Sequence, residues 1–278
     1  MRVAYFPNQC ALNSIPVMQA ILDSLRRAGH TVEQNSMDAD AVIIWSVLWS
    51  GRMAENKRVY EYYRAHNKPV IIADVGALYR GETWKIAVNH INRLGYYGHT
   101  ENLDMDRPRK LGISLAVNLS RNPAILIAAQ HRFSLQLANQ NHEAWIIEQV
   151  EAIRQLSDRP IVIRPHPRSP LQMASLNKTI TLEKPVKIPN TYDNFDMHFD
   201  YHAVVNYSSG PGIQAAISGT RPVVGTYSLA LPVSVAIEDL DQPYTTDRDQ
   251  WLVEICHTEY TVKEIEQGLW LQRLSAAL

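Results

Sequence analysis

Residues 207–225 read YSSGPGIQAAISGTRPVVG, and this stretch indicates the fold more clearly than any other part of the chain. An apolar strand ends in two serines, a helix begins near Gly212, and a second apolar strand follows at Pro222–Gly225. A helix N-terminus presents unpaired backbone N–H groups and the positive end of its dipole, which suits a phosphate group. The same residues also fit a capped strand–helix turn that binds no ligand.

The alternation of strand and helix continues through most of the 278 residues, which is a suitable length for two domains. The predicted strands are Arg2–Phe6, Ala41–Trp45, Val70–Ala73, Lys110–Leu115, Ala124–Ala128, Ile161–Arg164, His202–Tyr207 and Pro222–Gly225. The predicted helices are Ser14–Ala28, Met53–His66, Glu143–Leu156, Gly212–Ser218 and Val262–Leu274. Residues 74–100 show no clean period, which is typical of a long functional loop. We therefore predict an α/β fold with two Rossmann-like domains, 1–121 and 122–278, whose parallel sheets face a central cleft.

The composition is that of a globular enzyme, with 46% hydrophobic and 20% charged residues. The longest apolar runs, such as Ala41–Ser50, are too short to span a membrane, and the first residues do not read as a signal peptide. We therefore expect a cytoplasmic protein without a membrane partner, in the host cytoplasm if a phage encodes it. Cys10 and Cys256 lack any motif spacing and are predicted to be free thiols.

A second motif, IVIRPHPR at Ile161–Arg168, places Arg164 and His166 at the tip of an apolar strand. The flanking prolines stiffen the backbone there. A fixed histidine between arginines suits a phosphate, because His donates a hydrogen bond and Arg supplies positive charge. The alternative is a rigid loop that carries a surface histidine.

The two motifs, in this order, resemble the C-terminal donor domain of GT-B glycosyltransferases, in particular the capsule-polysaccharide and Kdo-transferase-like group and bacterial sialyltransferases. The resemblance covers residues 125–278. It implies that His166, Ser208 and Ser209 hold the nucleotide phosphate of the donor, usually a CMP-sugar. We assign Arg164, Gly210 and Gln130 to the same donor site.

Three other segments are similar to phage-encoded glycosyltransferases, some of which are associated with sugar-modified DNA bases. They are Asp74–Trp84, Asn92–Gly98 and Ala129–Gln136. Sugar transfer also needs a base that deprotonates the acceptor hydroxyl. Asp74 follows the Val70–Ala73 strand directly and is the preferred catalytic base, with Glu82 as the second candidate, because strand ends hold catalytic groups more firmly than loops do. Domain closure is expected to exclude water.

The charge distribution bears on the acceptor. Residues 50–110 hold eleven Lys/Arg against seven Asp/Glu, although the whole chain has a net charge of −1. We predict a hydroxylated or hydroxymethylated pyrimidine in phage DNA as the acceptor, so that the partners are a nucleotide sugar and double-stranded DNA. The predicted phosphate contacts are Arg80, Arg93, Arg107, Arg109 and Lys110. The alternatives are a cell-surface polysaccharide acceptor, a nucleotide-sugar epimerase, a non-catalytic binding protein, and a solvated mixture of charges without a partner.

Two DxD-like triplets, Asp38–Asp40 and Asp104–Asp106, are reminiscent of metal-chelating motifs. The first precedes a strand instead of ending it, and the second lies in a charged stretch. Chance explains both, so we predict a metal-independent enzyme that uses no cofactor beyond its nucleotide-sugar co-substrate. The Trp and Tyr residues between 45 and 97 fit packing, or stacking on a sugar or base.

Overall fold

The computed structural model describes residues 1–117, 121–137, 140–171, 180–191 and 194–278, apart from the side chain of Asp196. The chain divides into two compact units, one formed by Met1–Met105 with Glu254–Leu278 and the other by Asp106–Val253. The first part of the chain contains β1 (Arg2–Tyr5), α1 (Ile15–Arg27), β2 (Thr31–Gln34), β3 (Ala41–Trp45), α2 (Asn56–Ala65), β4 (Val70–Val75) and β5 (Thr83–Val88). There follow α3 (Arg107–Lys110), β6 (Ile125–Ala128), α4 (His142–Leu156), β7 (Ile161–Arg164), β8 (Ile180–Leu182), β9 (Val186–Lys187) and β10 (Phe195–Asp196). The last elements are β11 (Ala203–Asn206), α5 (Gly210–Ser218), β12 (Arg221–Val224), α6 (Asp249–Cys256), β13 (Glu259–Thr261), α7 (Val262–Glu266) and α8 (Leu269–Leu274).

The first unit is built on a six-stranded sheet in the order β13-β5-β4-β3-β1-β2. Strands β1 to β4 are parallel, whereas β5 and β13 run antiparallel to their neighbours. The apolar face of α1, with Met18, Ile21 and Leu25 at helical spacing, is buried in one core with residues of α8 such as Trp270. This arrangement fits the central part of a Rossmann-like domain with an antiparallel edge.

The second unit contains a five-stranded, fully parallel sheet in the order β12-β11-β6-β7-β8. Its central strands are apolar on both faces and buried, as parallel strands covered on two sides should be. Ala128 at the end of β6 is paired with Asn206 on one side and with Arg164 on the other. The three strands therefore end at the same level, and the segments that follow them meet at one edge.

The division into units differs from the predicted boundary. The prediction places 122–278 in one domain, but Glu254–Leu278 belongs to the first unit, and the break at the other junction follows Met105. The physical reason is that this C-terminal segment adds β13 to the first sheet and buries Tyr260 and Trp270 in its core. Helix α6 begins in the second unit and ends in the first.

Three element predictions are corrected. The stretch predicted as a loop contains β5, whose six residues are all buried, and its Lys85 interrupts what would otherwise read as an apolar strand. No strand forms over 110–115, since α3 ends there in a turn with Gly112 at φ +69°. The C-terminal helix is broken into α7 and α8 at Gly268, which adopts φ +78°.

Two other sequence predictions concern the described residues. Cys10 and Cys256 are both buried free thiols, as predicted. Across the described parts of the chain, no helix has the length and apolar character needed to cross a membrane.

Candidate functional site

The carboxyl edge of the second sheet gathers most of the predicted donor residues. Gln130 follows β6, His166 follows β7, and Ser208 and Ser209 follow β11. In open α/β sheets, ligands bind at this edge, outside the carboxyl ends of the strands. The structure therefore brings together residues that are far apart in the sequence.

Ser208 is joined directly to the β6 segment. Its backbone N–H donates to Oε1 of Gln130 at 3.2 Å, and its hydroxyl donates to Oε1 of Gln136. Ser208 is buried. The Ser208 hydroxyl also lies 3.4 Å from Oε1 of Gln130, so two glutamines surround it. A ligand phosphate that accepted a hydrogen bond from this hydroxyl would replace the Gln136 contact.

Asn206, which the motif analysis did not single out, fixes the position of Ser209. Its side-chain amide donates to the carbonyl of Ala128 at 2.8 Å and to Oγ of Ser209 at 2.9 Å. Its Oδ1 accepts the backbone N–H of Ser209 at 2.8 Å. The sequence signal for Asn206 is its place at the end of an apolar strand, because an amide in such surroundings needs several hydrogen-bond partners.

Helix α5 begins at Gly210, directly after Ser209, so its N-terminal amides face the same edge. Gly212 allows this helix to approach β12 closely. A Cβ atom built on Gly212 would lie 2.8 Å from Cγ1 of Val224. The small residue therefore places a positive helix end beside the serines.

A second histidine, His131, lies against His166. Their ring centroids are 5.1 Å apart in an edge-to-face arrangement. Each Nδ1 accepts a backbone N–H at 3.1 Å, from Phe133 in one case and from Arg168 in the other. A neutral ring whose Nδ1 accepts carries its proton on Nε2, so each neutral imidazole has its N–H donor on the other side of the ring.

His131 is buried, with 6% of its surface exposed. Burial, followed by the charges of Arg132 and Arg168, lowers the pKa of His131 to about 4. It is therefore a neutral donor over the physiological range. The sequence signal for His131 was its place directly after an apolar strand and one glutamine, much as His166 follows β7.

Arg164 lies elsewhere. Its buried guanidinium donates to Glu183 at 2.8 Å and to the carbonyl of His198 at 2.8 Å, and it lies over the rings of Phe199 and Tyr201. The Tyr201 hydroxyl also donates to Glu183. Burial acts to raise the pKa of Glu183, but the Tyr201 hydrogen bond and the charge of Arg164 together outweigh it, so the pKa is lowered. The described contacts thus tie Arg164 to Glu183, directly after β8, and to the segment before β11. Arg164 therefore forms a structural ion pair away from the serines.

The predicted base, Asp74, lies within β4, one residue before its end. Its Oδ2 accepts the hydroxyl of Ser46 at 3.1 Å, and its Oδ1 accepts the N–H of Val75 at 2.7 Å. Burial raises the pKa of Asp74, while these hydrogen bonds and the charges of Lys85 and Arg80 act in the opposite direction. A carboxylate with a raised pKa at the carboxyl edge of a sheet is suited to accept a proton.

Sequence reasoning missed three residues around Asp74. Ser46, directly after β3, adopts φ +62°, an uncommon conformation for a residue other than glycine. Lys85 and Glu259 are buried on the neighbouring strands β5 and β13. Glu82, the second candidate base, lies instead in the exposed turn before β5.

The predicted DNA contacts are divided between the two units. Arg80 and Arg93 are exposed in the first unit, whereas Arg109 and Lys110 are exposed on α3 of the second. Arg107 is buried, which conflicts with its predicted role as a phosphate contact. Arg109 also pairs with Asp106, the residue directly before α3.

Aspartates of both DxD-like triplets contact arginine residues. The N–H and guanidinium of Arg2 donate to Asp40 and to the Asp38 carbonyl, each at 2.7 Å, and Asp106 pairs with Arg109. Among the described residues, no group of three or more His, Cys, Asp or Glu side chains is arranged to hold a metal ion.

The aromatic residues of the first unit form packed pairs. Trp45 and Trp84 are both buried, with ring centroids 5.7 Å apart, and Trp49 contacts Tyr60 at 5.8 Å. Burial of Trp45 and Trp84 supports the packing interpretation for these two residues.

A cavity of about 790 Å³ lies elsewhere in the first unit, at the amino edge of its sheet. Met1 and His30, which precede β1 and β2, line it together with Arg27, Glu266 and Leu271. It contains none of the predicted site residues.

Comparison with known proteins shows a likeness in structure alone. No protein-family model and no curated protein sequence matches the chain. Thermosulfurimonas dismutans KpsC, beta Kdo 2,4 transferase, has a TM-score of 0.53 at 11% identity, with 97% of this chain and 98% of that chain covered. The same organism's KpsC, beta Kdo 2,7 transferase, gives 0.49 at 13% identity, covering 98% and 99%. Methanocaldococcus jannaschii UDP-GlcNAc 2-epimerase, in complex with UDP-GlcNAc and UDP, gives 0.33 at 10%, covering 98% and 99%. The first likeness shows the fold and confirms the predicted α/β class with two Rossmann-like domains of the GT-B kind.

Proposed function

We propose that this protein is a glycosyltransferase that takes its sugar from a nucleotide-sugar donor held by the second unit. The observation that carries the proposal is the convergence of His166, Ser208, Ser209 and the N-terminus of α5 at one sheet edge. These groups all offer N–H or O–H donors. Such a set is suited to the negative charge that develops on a leaving phosphate.

In the proposed reaction, the bond between the anomeric carbon and the phosphate oxygen breaks, and the leaving nucleotide keeps the electron pair. His166 and His131 donate from Nε2, and Ser208 and the α5 amides donate to the same phosphate. The acceptor oxygen forms the new bond to the anomeric carbon. Its proton passes to Asp74, whose raised pKa makes it a stronger base than an ordinary aspartate.

A saccharide hydroxyl is the acceptor that we favour. The beta Kdo 2,4 transferase whose structure is similar at a TM-score of 0.53 supports a sugar-transferring enzyme. The burial of Arg107 also counts against its predicted contact with a DNA phosphate.

A hydroxymethylated pyrimidine in DNA is the second candidate acceptor. The observation in its favour is that Arg80, Arg93, Arg109 and Lys110 are exposed. If these residues contact phosphates, binding to duplex DNA weakens steeply as salt is raised.

The test is to incubate the protein with a panel of nucleotide sugars and each acceptor class, and to measure released nucleotide and product mass. A transferase releases nucleotide faster with the right acceptor, an epimerase changes the sugar without an acceptor, and a binding protein does neither. Mass gain on a saccharide supports the favoured acceptor. Mass gain on DNA that carries hydroxymethylcytosine, without extension of any saccharide, replaces it with the second candidate.

Metal independence belongs to the same proposal. Since the proposed donor site uses N–H and O–H groups, transfer is expected to proceed at its full rate in excess EDTA. The measurement is the initial rate before and after chelation, with Mg²⁺ or Mn²⁺ added back. A rate that disappears with EDTA and returns with metal contradicts this part of the proposal.

A further inference from the structure

Four polar side chains form a row across the sheet of the first unit. Asp74 on β4 is paired with Lys85 on β5, and Lys85 is paired in turn with Glu259 on β13. At the other end, Oγ of Ser46 lies 3.1 Å from Oδ2 of Asp74. Residues directly opposite on antiparallel strands have Cβ atoms about 4.5–5.5 Å apart, so the three charged side chains share one face of the sheet.

The row is shielded from solvent at its centre. Glu259 has no exposed surface, and Lys85 has 7%. Nζ of Lys85 lies 4.0 Å from Oε1 of Glu259. One buried ammonium group is therefore flanked by two carboxyl groups, and with so little exposed surface these charges are only weakly screened from one another.

Glu259 has further partners that hold it in place. It accepts backbone N–H groups from Ala77 at 2.6 Å and Leu78 at 3.1 Å, and the hydroxyl of Thr83 at 2.7 Å. Gly76 is packed so closely that an added Cβ would lie 2.3 Å from Oε2 of Glu259. The C-terminal segment thus fixes the loop that follows β4, immediately beyond Asp74.

We propose that Lys85 and Glu259 are positioning residues for Asp74, in that the Lys85 charge is divided between the two carboxyl groups and this division sets how tightly Asp74 holds a proton. The proposal rests on the proposed function only in naming Asp74 as the catalytic base. The coupling within the row is a property of the folded chain and can be measured without any substrate.

Other groups also face Asp74. Arg80, from the loop after β4, lowers the pKa of Asp74 together with Lys85, against burial, which raises it. Tyr97, from the segment after β5, has a buried hydroxyl without a hydrogen-bond partner among the described residues. Burial, with the charges of Glu259 and Asp74, raises the pKa of Tyr97 well above its ordinary value, so Tyr97 stays neutral and adds no charge to the row.

The two charged neighbours of Asp74 should have opposite effects. Lys85→Met removes the cation, which disfavours the carboxylate and raises the pKa of Asp74. Glu259→Gln removes the competing anion and leaves Lys85 with Asp74 as its charged partner. That change favours the carboxylate and lowers the pKa of Asp74.

The experiment is a pH titration of the whole protein labelled with carbon-13 at the aspartate carboxyl groups, followed by NMR. Asp74→Asn identifies the Asp74 signal by its loss. The midpoint is expected to rise in Lys85→Met, to fall in Glu259→Gln and to return close to the original value in Lys85→Arg. Lys57→Met is the matched control, because Lys57 forms an exposed pair with Glu61 on α2 and should leave the Asp74 midpoint unchanged.

Circular dichroism and thermal unfolding establish that each variant is folded. If Lys85→Met does not fold, Glu259→Gln and Lys85→Arg carry the test. An Asp74 midpoint that stays at the original value in the folded charge-removing variants overturns the proposal. The pH at which the transfer rate falls on the acid side of its pH profile provides a second readout. It is expected to shift in the same directions as the Asp74 midpoint. Midpoints that move as expected while no donor and acceptor pair gives product would leave the inference standing and reject the proposed function instead.

Discussion

At the residue scale, the donor site depends on groups whose roles are fixed by a few hydrogen bonds. His166 keeps Nδ1 as an acceptor for Arg168, so its Nε2 is committed to donating in the neutral state. Arg164, two residues before it in the motif, instead forms an ion pair with Glu183. Two residues in one short motif thus have different surroundings, because Arg164 is the last residue of β7 and His166 lies beyond the strand, after Pro165.

His166→Ala is expected to cost about 2–4 kcal/mol of transition-state stabilisation, because it removes one donor to the leaving phosphate. The measurement is kcat/KM with the donor and acceptor found by the screen. His66→Ala, at an exposed position on the first unit, is the control and should have little effect. Unchanged turnover in a folded His166→Ala protein would exclude this histidine from the donor site.

The buried His131 gives the protein a stability that depends on pH. Its folded pKa of about 4 lies below the ordinary 6.5, so the unfolded chain binds a proton first as the pH falls. Stability is therefore expected to be lost progressively from about pH 6.5 towards 4. In denaturant titrations across this range, His131→Gln should lose less stability than the parent protein does. If the free energy of unfolding falls equally with pH in both proteins, His131 is not the group responsible. His66→Gln serves as the exposed control.

At the element scale, the position of α5 depends on the close approach of Gly212 to β12. Gly212→Ala places a methyl group 2.8 Å from Cγ1 of Val224, so the Val224 side chain, the helix or the strand must shift. We expect a loss of about 1–3 kcal/mol in unfolding free energy, the usual cost of overpacking, together with weaker donor binding.

The control for Gly212→Ala is Ser218→Ala, at the other end of the same helix, where local hydrogen bonds to the Ala215 carbonyl and the Thr220 hydroxyl are removed. Its effect should stay near 1 kcal/mol, without any loss of donor affinity. Affinity for the nucleotide sugar is measured by calorimetry. Equal affinity in the two variants would show that the position of the α5 N-terminus does not affect donor binding.

At the scale of the whole molecule, the C-terminal segment belongs to the first unit. Trp270 is fully buried there and donates to Ser24 on α1 at 3.0 Å. Trp270→Ala is expected to cost about 3–5 kcal/mol and to lower the melting transition of the first unit selectively. Calorimetry that resolves two transitions provides the measurement, with Leu156→Ala, at an exposed site on α4, as the control. A shift of the second unit's transition instead would contradict this assignment of the segment.

The sequence by itself determined the α/β class and most elements whose residues pack locally. Ile161–Arg164 is a strand with the predicted bounds, and the helix predicted over Ser14–Ala28 is found at Ile15–Arg27. Apolar periodicity is a local property, which is why it predicts such elements. The motif after β11 placed Ser208 and Ser209 correctly at the start of α5, because a strand end and a helix cap are defined by adjacent residues.

Only the tertiary structure decided which distant residues meet. The pairing of β13 with β5 brings Glu259 to Lys85 across more than half of the chain, and no local pattern encodes a cross-strand register. The same holds for His131 beside His166, and for Arg164, whose partner Glu183 lies beyond the next strand. Strand order and burial fix these contacts, and they in turn decide which charges are exposed, which are paired and which carboxyl group retains a raised pKa.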